Sequence, residues 1–264
     1  MTRSERRAQA RSLRKQAESE AAAGAVRRRR ISLLAATTTA VLVAVVVIAG
    51  ATGGSNSPPR VGSRAARAVQ TEVDGLLKGI PQRANVLGSP SAPATLEYFG
   101  DLECSACQAF TLHSLPTLIS MWVRTGKLRV EYRSLETATR DPEVFTLQQV
   151  AALAAGAQNR MWNFIETFYQ EQGADGSGYV DGAFLQGIAR QVPGLDLSTW
   201  VSDRGNAAYP KELEADASAA NGNGLTATPA FLLGRSNGVL KKFEDASITE
   251  PTEFSAAIER TLAG

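Results

Sequence analysis

The chain has 264 residues, 44% hydrophobic and 20% charged, with a formal net charge of +2; this balance is globular and excludes a chain disordered throughout. Residues 1–30 hold ten Arg/Lys against three Glu, a surplus of seven, which leaves the other 234 residues at −5 and excludes a basic nucleic-acid-binding domain beyond that tail. Cys104 and Cys107 are the only cysteines and His113 the only histidine, so neither a disulfide framework nor a multi-histidine metal site is available.

The basic tail, residues 1–30, ends in Arg27–Arg30, directly before an uncharged stretch. Residues 31–51 (ISLLAATTTAVLVAVVVIAGA) have the length at which a helix crosses a hydrocarbon core of roughly 30 Å. The flanking arginines orient that helix with residues 1–30 in the cytoplasm and the C-terminal part outside. A cleaved signal peptide is the rival reading, because Ala49-Gly50-Ala51 offers a small-residue cleavage site. Against it stand the long basic lead and an apolar stretch beyond the usual length of about 7–15 residues. Either way the C-terminal part is exported. The tail itself reads as a topology determinant, with binding to nucleic acid or to anionic lipid at the inner leaflet as the alternative roles.

Residues 52–80 read as a linker: TGGSNSPPR has linker composition, and Val69, Val73, Leu76, Leu77 and Ile80 recur at helical spacing before Pro81. From residue 81 a single domain is expected. Residues 94–99 (ATLEYF) predict a strand. Phe110, Leu115, Leu118, Ile119, Trp122 and Val123 mark a helix running to about Gly126 with a kink at Pro116. Leu128, Val130 and Tyr132 alternate with Arg129, Glu131 and Arg133 as a second strand, completing a βαβ skeleton. Four helices should follow, centred on Val144–Ala154, Met161–Tyr169, Phe184–Ile188 and Leu213–Ala220. Ala230–Leu233 and Val239–Phe243 predict a hairpin, and Phe254, Ile258 and Leu262 a last helix. The aromatic cluster Trp162, Phe164, Phe168 and Tyr169 reads as core of the helical part.

Cys104-Ser105-Ala106-Cys107 follows a predicted strand and opens a predicted helix. There the unpaired N–H groups and the helix dipole stabilise a thiolate. Two intervening residues put both sulfurs on the first turn, with Cys104 at the exposed end as nucleophile and Cys107 inside as resolving thiol. Gln108 excludes the haem-attachment pattern, and zinc would need more ligands than the chain comfortably supplies. A structural staple is the alternative, although so short a loop removes little unfolded-chain entropy. Thr228-Pro229 stands before a hydrophobic strand, where proline can hold a backbone edge open.

The run Leu87–Pro93, then Tyr98-Phe99-Gly100-Asp101-Leu102-Glu103-Cys104-Ser105-Ala106-Cys107, Leu115-Pro116 and Thr226-Ala227-Thr228-Pro229-Ala230-Phe231 resemble the DsbA-like branch of the thioredoxin superfamily over about residues 78–264. The resemblance implies an α/β thioredoxin fold with an inserted helical lid at about 141–225, preceded by the transmembrane helix. It makes Cys104 the attacking thiol, Cys107 the resolving thiol, and Thr228-Pro229 the cis-proline loop that binds a substrate's extended chain. It also implies an extracytoplasmic thiol–disulfide oxidoreductase that needs no cofactor or metal and takes exported protein thiols as substrates. A quinone-linked membrane partner would reoxidise it.

The departures matter. Ser105-Ala106 stands where the strongly oxidising members resemble Pro-His, so the potential should be lower than theirs. Glu103 precedes the first cysteine where thioredoxins proper have Trp. Glu103 and Asp101 are the carboxylates able to tune the cysteine pKa or relay a proton, the alternative being solvated loop residues. His113 lies too far along the helix for catalysis. A reductase or isomerase of the same fold, or a thioredoxin-like binding module with a structural disulfide, are the competing functions.

Overall fold

The computed structural model describes residues 62–174, 176–244 and 247–264. The expected basic tail, membrane helix, cleavage site and Gly/Ser/Pro linker lie outside the described residues. Among the described residues no helix is long and apolar enough to cross a membrane.

The helix expected before Pro81 is α1 (Arg64–Leu77), started by the Ser63 hydroxyl oxygen, which accepts from the Ala66 N–H. Val73 and Leu77 turn inwards and are buried. The Arg124 guanidinium donates to the carbonyls of Leu76 and Lys78 at 2.7 and 2.8 Å, satisfying orphan acceptors at the helix end. The described part of the expected linker, this helix and Ile80, is packed against the core of the domain.

The sheet has six strands: β1 (Gln82–Arg83), β2 (Val86–Leu87), β3 (Ala94–Gly100), β4 (Leu128–Ser134), β5 (Ala230–Arg235) and β6 (Lys241–Phe243). Their order is β1-β2-β4-β3-β5-β6, with β3 parallel to β4 and every other pair antiparallel. The alternation read in β4 buries Leu128, Val130, Tyr132 and Ser134. In β3, central and covered on both faces, Leu96 and Tyr98 join the main core while Phe99 packs with Ala220, Leu225 and Leu232 on the other side. The β1–β2 hairpin had no sequence signal, since two-residue strands carry no periodicity.

The helix after the cysteines runs to Val123 and breaks beside Pro116, as expected, into α2 (Ser105–His113), α3 (Leu115–Leu118) and a π-helical turn (Ile119–Val123). Pro116 has no N–H to continue the ladder and instead occupies the start of a new helix.

The helical insertion comprises α4 (Pro142–Ala157), α5 (Met161–Gln170), α6 (Gly182–Ala189), α7 (Leu197–Asp203) and α8 (Tyr209–Gly222), one helix more than the four expected. Unforeseen α7 is too short to show a repeat. It is held by the wholly buried Trp200, whose Nε1 donates to the Ala151 carbonyl at 2.8 Å. Trp162, Phe164, Phe168 and Tyr169 are all buried inside this layer. Helix α9 (Pro251–Ala263) closes the other face with Phe254 against Phe110 and Phe231.

Candidate active site

Strand β3 delivers the chain to the cysteines through Gly100, where a Cβ would stand 2.8 Å from the Tyr132 ring and 3.1 Å from that of Tyr98. Only glycine fits there, and the close approach sets where residues 101–104 emerge. Cys104 then caps α2: its backbone is extended and its Sγ accepts from the Cys107 N–H at 3.4 Å. Both cysteines are free thiols, Cys104 7% exposed at the rim and Cys107 wholly enclosed.

The two sulfurs are pushed in opposite directions. A hydrogen bond from the Cys107 thiol does most to lower Cys104 to about 6. Burial opposes it, and the Thr228 side chain and the N–H groups of Cys107 and Ala106 add to the lowering. Burial, and then the hydrogen bond to Cys104, hold Cys107 well above the ordinary thiol range. This pair can present one thiolate outwards while keeping one proton inside.

Thr228-Pro229, a cis peptide, lies directly against Cys104: the Cys104 thiol donates to the Thr228 carbonyl at 3.4 Å. Beyond it, Thr226, Ala227, Pro229, Phe231, Phe243 and Ile248 line a shallow groove of mixed polarity.

The loop carboxylates are not solvated. Asp101 is fully buried, and its Oδ2 accepts the N–H groups of Thr137, Ala138 and Thr139 at 3.0, 2.8 and 2.9 Å. Its Oδ1 accepts the Glu103 N–H at 3.1 Å and the Thr139 hydroxyl at 2.5 Å. Glu103 is buried beside it. Asp101 thus ties the approach to the cysteines to the loop after β4. His113 is exposed at the far end of α2.

Sequence reasoning missed the polar floor of the site. Tyr98 and Tyr132, register partners on β3 and β4, and Tyr169 on α5 place three buried hydroxyls under Cys107. Tyr98 contacts the hydroxyls of Tyr169 and Thr111 at 3.2 and 3.4 Å and the Cys107 carbonyl at 3.5 Å. Tyr169 donates to the Asp101 carbonyl at 3.1 Å, and Tyr132 to the Gly100 carbonyl at 3.1 Å. Burial first, and then negative charge at Cys107 for Tyr98 and Tyr132 or at Tyr98 for Tyr169, raises all three phenols, so they stay protonated as donors. The matching inward positions of Tyr98 and Tyr132 on neighbouring strands were the signal for two of them. Among the described residues, no group of three or more His, Cys, Asp or Glu could hold a metal ion.

The chain is 25% identical over 118 residues to a Bacillus anthracis protein named probable disulfide bond formation protein D, and 26% identical over 120 residues to one of the same name from Bacillus cereus. Each match covers 44% of this chain and 54% of the relative, so the chain spans about half the length of these curated relatives. In fold it is similar to the crystal structure of oxidised BdbD from Bacillus subtilis, with a TM-score of 0.59 at 19% identity over 70% of this chain and 98% of that one. It is likewise similar to alpha-DsbA1 of Wolbachia pipientis, with a TM-score of 0.57 at 19% identity over 71% of this chain and 92% of that one. The family model described as Thioredoxin matches residues 82–259, more than half of the chain, and includes every strand, both cysteines and the cis-proline loop. With that match, and with a sheet that sets a cysteine pair at a helix start against a cis-proline, the chain belongs to the thioredoxin family.

Proposed function

We propose that this protein is an extracytoplasmic thiol–disulfide oxidoreductase that donates the Cys104–Cys107 disulfide to exported proteins. The observation that carries this reading is the asymmetric seating of the pair, with Cys104 capping α2 against the cis Thr228-Pro229 peptide and Cys107 enclosed beneath it, which holds Cys104 at about 6 and raises Cys107. A stabilised thiolate stabilises the reduced form, so the disulfide form is driven to give its bond away.

A client thiolate attacks Cys104 Sγ, the Cys104–Cys107 bond breaks, and a mixed disulfide forms while Cys107 takes up a proton. A second client thiolate attacks the client sulfur of that bond and releases Cys104 as a thiolate. Two electrons have moved from client to enzyme. The groove beside Pro229 would take the client's extended backbone. Reoxidation would fall to a quinone-linked membrane partner, and residues 31–51 would anchor the protein beside it with residues 1–30 in the cytoplasm. Glu103, buried one residue before Cys104, would tune the pair, and Asp101 would act through the loop it holds. The names of the two Bacillus relatives agree with this activity.

The test is a Cys107→Ala variant of the whole chain produced in an exporting host. Mixed disulfides between Cys104 and exported proteins, formed when the lone Cys104 thiolate attacks a disulfide already made in a client (the release step in reverse) and absent from a Cys104→Ser variant, are the expected result. A Cys107→Ala protein that captures no client would sink the reading. A measured potential near that of thioredoxin, about −270 mV, would reverse the direction to a reductase.

A further inference from the structure

Next to the reactive sulfur lies a hydroxyl pair that this mechanism leaves unused. Thr137, in the loop after β4, and Thr228, before the cis-proline, meet through their Oγ1 atoms although 91 residues separate them. Thr137 is held there by main chain. Its own N–H and those of Ala138 and Thr139 all donate to Asp101 Oδ2. Below, the Gln148 side-chain amide donates to Thr139 Oγ1 at 2.7 Å, and the Thr139 hydroxyl donates on to Asp101 Oδ1. Three N–H groups and one hydroxyl of the loop thus converge on the Asp101 side chain and seat the loop against it.

The polarity of the Thr137–Thr228 bond follows from the sulfur. A hydroxyl has one proton. Thr228 touches the Cys104 sulfur through its carbonyl at 3.4 Å, which places its side chain at the same sulfur, and that side chain can favour the thiolate only by directing its proton there. Were Thr228 to donate to Thr137 instead, the thiolate would face its lone pairs. When Cys104 is ionised, the bond between the hydroxyls therefore runs from Thr137 to Thr228, and accepting it makes the Thr228 O–H a stronger donor.

Resting on the reading of Cys104 as the nucleophile, we propose that Thr137 is a positioning residue of the redox centre: its hydroxyl donates to Thr228 and so turns the Thr228 proton towards the Cys104 sulfur, with Asp101 holding Thr137 in place. The residue acts through Thr228 and takes no part in the exchange itself. Its side chain is exposed, so changing it leaves the core intact.

The test uses the reduced full-length chain in detergent, with the rate of Cys104 alkylation by iodoacetamide followed against pH by mass spectrometry. Cys107, Asp101 and Glu103, the ionisable groups nearest Cys104 in the chain, are unchanged in every variant. Thr137→Val should raise the midpoint by about half a unit and slow alkylation at pH 6 about two- to threefold, and Thr228→Val should raise it by about one unit. Thr137→Ser, which keeps the hydroxyl, should behave as the parent. In the Thr228→Val background, Thr137→Val should add nothing, because the two act as one chain. A Thr137→Val midpoint equal to the parent's, or an effect that persists without the Thr228 hydroxyl, overturns the inference while leaving the disulfide-donor reading intact. A parent midpoint near that of an ordinary thiol, about 8.5, overturns both.

Discussion

The Cys104 sulfur lies 3.4 Å from the carbonyl oxygen of Thr228, a residue 124 positions further along the chain. As a thiol, Cys104 donates to that carbonyl; as a thiolate it has no proton to give, and the side chain of the same residue supplies stabilisation instead. One residue thus serves both protonation states of the sulfur, while its neighbour Pro229 lines the adjoining groove.

The opposed cysteine pKa values set how the reduction potential depends on pH. Below about 6, reduction of the disulfide takes up two protons; above that value Cys104 stays ionised and only Cys107 is protonated. The potential should fall by about 59 mV per pH unit below the break and by about 30 mV above it. Titration against glutathione from pH 4.5 to 8.5 measures both slopes. A single slope across the range would mean that Cys104 is not depressed.

Asp101→Asn should destabilise the protein by about 2–4 kcal/mol, because one carboxylate oxygen becomes an amide nitrogen that cannot accept, and N–H groups of the 137–139 loop, that of Thr139 buried and the other two partly so, lose their partner. Urea unfolding of the reduced protein at pH 7 checks this. Loss of less than about 0.5 kcal/mol would show that the loop finds other acceptors.

Glu166, on α5, is fully enclosed, and burial, then the charge of Glu72, raises it to about 8. In the unfolded chain it ionises near 4.3, so between these values the folded state holds a proton that the unfolded state has lost. Its contribution to stability is then greatest at low pH and is lost as pH rises towards 8. Glu166→Gln removes this titration. The variant's advantage over the parent should grow by about 2–4 kcal/mol between pH 5 and pH 8 in urea unfolding. A difference that does not change with pH would contradict the assignment.

Asp216 seats α8 on the end of β4. Its Oδ2 accepts from the N–H and hydroxyl of Ser134 at 2.8 and 3.0 Å, and its Oδ1 from Arg133 at 3.1 Å. Asp216→Ala leaves the Ser134 N–H buried without its acceptor and should cost about 2 kcal/mol. Because this contact is remote from the cysteines in the chain and on another helix, Cys104 alkylation should keep the parent rate. Thermal unfolding and alkylation measured on one preparation separate the two effects.

Local patterns were decided by the sequence alone. The alternation of β4, the apolar spacing of α4, α5 and α9, and the cysteine pair at a strand-to-helix junction each depend on residues within a turn or two of one another, where backbone periodicity imposes the order. The burial of Trp162, Phe164, Phe168 and Tyr169 followed from their bulk and helical spacing. Tertiary structure decided what depends on a partner chosen from far along the chain. The β1–β2 hairpin exists because β4 offers an edge, α7 because Trp200 finds the Ala151 carbonyl, and α1 belongs to the domain because its face meets the rest of the core. Asp101 shows the difference most sharply. As a letter beside two cysteines it looked like an acid for proton transfer or a solvated loop residue. Folded, it is enclosed by the amides of 137–139, because a buried carboxylate is stable only where donors converge on it, and sequence distance says nothing about which donors those will be.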